Sequence, residues 1–119
     1  MFTFKKADGP LTGTREHVVH ETVWLVEKLV ILLVGNRVSF PSVERILSEF
    51  TKHETCDHFI RSLETSLMKD NIPSLNQSII LSEMKHHLKY DYRWSFKAFT
   101  TYDITINDLL NKDSLEDAI

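Results

Sequence analysis

Between Val18 and Val34 the chain carries twelve apolar residues in seventeen positions, and this stretch constrains the fold more than any other feature. Val18, Val19, Val23, Trp24, Leu25, Val26 and the run Leu29–Val34 cover more than one face of a helix. A helix with so little polar surface lies at the centre of a fold or is covered by a partner. A membrane span is the alternative to test first. His20, Glu21, Glu27 and Lys28 fall inside the stretch, and each charge near the centre of a spanning helix costs roughly 2.5–3.5 kcal/mol. Those penalties cancel most of the gain from leucine, isoleucine and valine. The segment therefore reads as a buried helix, and no membrane partner is expected. Leu29–Val34 alone is also compatible with a strand, because so short an apolar run carries no decisive period.

Flanking signals frame this helix and three more. Thr14, followed by Arg15 and Glu16, opens the first, and Gly35-Asn36 offers a left-handed stop. Ser39-Phe-Pro-Ser42 places a proline near a second helix start, where its missing N–H is harmless. Val43, Ile46, Leu47 and Phe50 then recur at i, i+3, i+4 and i+7. Thr51 and Glu54 have the spacing of a capping box and predict the opening of a third helix. Its stripe is Cys56, Phe59, Ile60, Leu63 and Leu67, and Asp70-Asn-Ile-Pro73 ends it. Ser74 with Gln77 repeats the capping-box logic for a fourth, which runs through Ile79, Ile80, Met84 and Leu88.

The segment 90–106 has two readings. Tyr90, Tyr92, Trp94, Phe96 and Ala98 alternate with polar residues, as in a half-buried strand. Tyr102, Ile104 and Ile106 alternate again beyond Thr100-Thr101, which predicts a hairpin. The rival is a longer fourth helix, since Met84, Leu88, Tyr92 and Phe96 recur every four residues. Strict i+4 spacing drifts by roughly 40° per step around an α-helix, which favours the strand. The expected fold class is mainly α: a single-domain bundle of four to five helices around a central apolar helix. A small C-terminal β-hairpin, in a winged-helix-like α+β arrangement, is the alternative. Residues 1–13 are expected to form an N-terminal arm, 14–110 the helical domain and 111–119 an acidic tail.

At 119 residues, 42% hydrophobic and 26% charged, the chain has ordinary globular composition for one domain. Cys56 is the only cysteine, so no internal disulfide forms, and the N-terminus lacks the apolar run of a signal peptide. Both point to an intracellular setting, cytoplasmic or nuclear. In that setting the glycosylation-like Asn76-Gln-Ser78 carries no weight.

The sequence offers little for catalysis. Three glycines cannot assemble a phosphate loop, and no serine sits in a Gly-x-Ser-x-Gly elbow. Cys56 lies between His53 and His58 but belongs to an apolar stripe, where a thiol is inert. His17 with His20, the His53-Cys56-His58 group and Glu83-x-x-His86 fall short of a ligand set for zinc or di-iron. No catalytic residue, metal or cofactor is expected.

Recognition is what remains. Lys85, Lys89, Arg93 and Lys97 lie four apart among His86, His87, Tyr90, Tyr92 and Trp94, a pattern that can grip phosphates and stack on bases. The net charge of −3 argues against nucleic acid as the main partner. Trp24, Tyr90, Tyr92, Trp94 and Phe96 supply aromatic anchors of the kind enriched at protein interfaces, although any one of them can equally fill a core. The C-terminal Asp117-Ala-Ile119 also has the form of a short carboxylate-bearing peptide. The expected role is a non-catalytic protein–protein interaction module, an adaptor, regulator or small subunit, bound to another protein or to its own copy. Nucleic-acid binding through 85–97 is the alternative.

Overall fold

In the central helix α1 (Thr14–Gly35), Val18, Thr22, Leu25, Val26, Leu29 and Leu33 recur at helical spacing and all are fully buried. The computed structural model describes residues 14–110, so the expected arm over 1–13, the acidic tail and Asp117-Ala-Ile119 lie outside the described residues. Around α1 come α2 (Phe40–Glu49), a 3₁₀ turn (Phe50–Lys52), α3 (Cys56–Lys69) and α4 (Ser74–His86). A π turn (His87–Asp91) and two short helices, α5 (Lys97–Thr101) and α6 (Ile106–Leu109), complete the order. The chain is a mainly α bundle, and α1 packs against α2, α4 and α6. They do not cover it entirely: Trp24, Ile31 and Val34 remain exposed. No helix among the described residues is long and apolar enough to cross a membrane.

The helix ends differ in detail from the sequence expectations. The left-handed stop after α1 falls on Arg37 (φ 73°), not on Gly35 or Asn36. Val38 N–H donates to Leu33 O at 3.0 Å, and Arg37 N–H to Val34 O at 3.4 Å. That pair of bonds is a Schellman motif, and the buried residue after the left-handed one packs back on the helix. The device recurs twice. Asn71 (φ 58°) precedes buried Ile72 after α3, and Asp103 (φ 55°) precedes buried Ile104 after α5. The cap of α3 is Thr55, whose hydroxyl accepts from His58 N–H at 3.0 Å; Thr51 sits in the 3₁₀ turn. Ser74 is the first residue of α4 and makes no capping bond, while Gln77 turns its side-chain amide to Ile72 O at 2.7 Å.

The segment 90–106 forms no strand. The π turn closes with Tyr92 N–H donating to His87 O at 2.8 Å, an i→i+5 bond. The helix ends there, since Tyr92 is extended (φ −94°, ψ 125°), so Met84, Leu88, Tyr92 and Phe96 are all buried without lying on one continuous helix. Phe96 then joins Phe50, Phe59 and Phe99 in a cluster with ring centroids 5.1–5.7 Å apart. The predicted alternation marks an extended link around Tyr92 and Arg93, which is docked on α1 by polar contacts. Thr22 Oγ1 donates to Tyr92 Oη at 3.0 Å, and Arg93 N–H donates to Glu21 Oε1 at 3.4 Å. Burial holds the Glu21 carboxyl above its ordinary value, and the Arg93 contacts only partly offset this.

Candidate functional site

The antiparallel pairing of α1 and α4 brings Trp24 of α1 to the end of α4, where His86, His87 and Tyr90 follow one another. At one end, Asn36 caps α1 by donating to Leu32 O at 2.8 Å, and Asn76 Nδ2 donates to Asn36 Oδ1 at 3.1 Å. At the other end the Trp24 indole meets the His87 imidazole edge-to-face, with centroids 5.3 Å apart. His87 is held from α4 and from the π turn. Its Nδ1 donates to Asp91 Oδ2 at 2.8 Å, and its Nε2 lies 3.7 Å from Glu83 Oε1. These three residues are spaced i, i+4, i+8, but the π turn closes the geometry between the last two. His86 lies 5.0 Å from the Tyr90 ring, Lys89 Nζ lies 5.3 Å from that ring and Lys28 Nζ lies 5.6 Å from that of Trp24. A surface of two aromatics, two imidazoles, two lysines and two carboxylates results.

Of the five aromatic anchors expected from sequence, the structure leaves two at the surface. Trp24 is 37% exposed and Tyr90 64%. Tyr92 and Phe96 are core residues, 6% and 2% exposed, and present no surface to a partner. Burial pushes the Tyr92 phenol well above its ordinary range. Trp94 is half-buried, and its Nε1–H has no acceptor among the described residues. Lys28, Glu83 and Asp91 are not among the contact residues expected from sequence, and His86 and His87 enter there only in the nucleic-acid pattern over 85–97. The i, i+4 spacing of Glu83, His87 and Asp91 is legible in the sequence; the approach of His87 to Trp24, more than sixty residues earlier, is not.

Lys85, Lys89, Arg93 and Lys97 are all exposed but do not continue one helical row. Lys85 and Lys89 flank a cleft of about 290 Å³ beside Cys56 and Asp57. Arg93 lies on the extended link and Lys97 opens α5. Without a hairpin, the winged-helix arrangement is not formed over 90–106.

The histidine and cysteine groups are also placed. His53 and His58 pack edge-to-face at 5.0 Å, and burial, then the Asp57 charge, raise the Cys56 thiol above its ordinary value. Among the described residues no three histidine, cysteine or carboxylate side chains converge as a metal-binding set. No protein-family model, no curated protein and no solved structure matches the chain.

Proposed function

We propose that this chain is a non-catalytic protein-interaction module, an adaptor, regulator or small subunit, whose contact face is the α1–α4 seam around Trp24 and Tyr90. One observation carries the reading. A 119-residue chain leaves Trp24 partly in solvent against His87, and Tyr90 exposed against the adjoining His86, where the π turn follows α4. Rigid aromatics with polar tips lose little conformational freedom on binding, and a few such residues dominate interface energetics.

The test compares W24A/Y90A with M68A, which removes an exposed apolar side chain from α3. Affinity capture from source lysate and light scattering are read for all three proteins. The expected result is a partner or self-association seen with wild type and M68A and lost in W24A/Y90A. Identical behaviour of the two variants, or a strictly monomeric wild type with nothing retained, rejects the reading.

Nucleic acid is the second reading, supported by the exposure of all four basic residues. Oligonucleotide binding that disappears in K85E/K89E/R93E/K97E would favour it.

A further inference from the structure

On the other flank of Trp24 a groove of about 600 Å³ runs along α1 towards α6. We propose that this groove takes a segment of a partner protein that carries an apolar anchor flanked by lysine or arginine. The inference rests on the reading of Trp24 as a contact residue and adds the chemistry of what is contacted.

The floor is Val19 and Val23, which pack partly against the core and leave apolar surface facing the groove; the Trp24 indole forms a wall. The rim carries Glu16, Glu27 and Asp108 against Arg15 and His20. Arg15 is already engaged: it lies 3.3 Å from Asp108 Oδ2 and donates through Nε to Tyr102 O at 3.0 Å. Glu16 and Glu27 outnumber Lys28, which lies over the Trp24 wall at 5.6 Å from its ring, so the carboxylates set the sign of the rim. An apolar floor with an acidic rim selects against acidic segments as much as it selects for basic ones, because an unmatched like charge at an interface is strongly unfavourable.

The experiment titrates the full chain with a fluorescein-labelled amphipathic Leu–Lys peptide about four helical turns long, and with its Leu–Glu counterpart. The Leu–Lys peptide is expected to bind and the Leu–Glu peptide not to. E16K/E27K should weaken binding about ten-fold or more, with E16Q/E27Q intermediate. E44K/E64K, with the same charge change at exposed positions of α2 and α3, should leave it unchanged. Far-UV circular dichroism of each variant confirms that the fold persists.

Equal affinity for both peptides, or equal loss in E16K/E27K and E44K/E64K, overturns the proposal. So does binding that appears only in K5E/K6E, which would give the groove to the chain's own basic stretch. Self-association abolished by E16K/E27K would give it to a second copy and equally overturn it. If W24A/Y90A loses a captured partner while E16K/E27K binds the Leu–Lys peptide undiminished, the contact face stands and this partner chemistry falls.

Discussion

Arg37 holds a left-handed conformation that a β-carbon makes unfavourable, by roughly 1–2 kcal/mol for ordinary residues. It is tolerated because the reversal after α1 buries Val38 and satisfies two carbonyls of the last turn. Arg37→Gly should therefore raise stability, by about 0.5–1 kcal/mol after the added freedom of the unfolded chain is subtracted; urea denaturation measures it. His53 makes a second residue-scale prediction. Burial, then the neighbouring His58, hold its imidazole below its ordinary value of 6.5, and Glu49 pulls weakly the other way. As pH falls through that value the unfolded chain takes the proton first, so stability present at neutral pH is lost towards acid. Thermal unfolding followed between pH 7.5 and 5.5 should show a shallower loss in His53→Gln than in wild type. Glu21, whose raised carboxyl acts in the opposite sense, is common to both proteins and cancels in the comparison.

Helix boundaries here are decided by a few hydroxyl and amide groups. Thr51 and Thr55 both precede a helical pattern, and only Thr55 has the extended backbone (φ −140°, ψ 163°) that lets its hydroxyl reach back to an orphan N–H. Thr55→Ala should cost about 1 kcal/mol, whereas Thr51→Ala should change stability by less than about 0.5 kcal/mol. Chemical denaturation of the two single variants discriminates them. At α6 the capping box is complete: Asp108 Oδ2 accepts from Thr105 N–H at 2.8 Å, and that bond is the main reason its carboxyl lies below the usual range. The same carboxylate meets Arg15 on α1, so a four-residue helix is tied to the first turn of the longest one.

Across the whole molecule, the apolar core joins parts of the chain that are distant in sequence. The Phe50, Phe59, Phe96 and Phe99 rings connect the 3₁₀ turn, α3, the lead-in to α5 and α5 itself, and all four are fully buried. Phe50 touches the other three, so Phe50→Ala leaves a cavity at the centre of the cluster. The expected loss is about 3–5 kcal/mol, a large fraction of the ~5–15 kcal/mol that typically holds a domain folded. A sharply lowered or broadened thermal transition is the expected observation. W24A, which removes a partly exposed ring, should leave the transition much closer to that of wild type.

Local periodicity, read from the sequence alone, was enough for four of the helices and for the core stripes of α2 and α3, because an amphipathic face repeats within a few residues and needs no distant partner. It also supplied the central role of α1, whose apolar content admits few other placements. Tertiary structure alone decided the rest. An alternating pattern and an i+4 pattern coexist over 90–98, and the choice between them depends on what the chain packs against: the π turn, the Thr22–Tyr92 bond and the phenylalanine cluster settle it. For the same reason sequence could supply the aromatic anchors but not divide them, since whether Tyr90 or Tyr92 faces water follows from the turn that rotates one outward and the helix that covers the other.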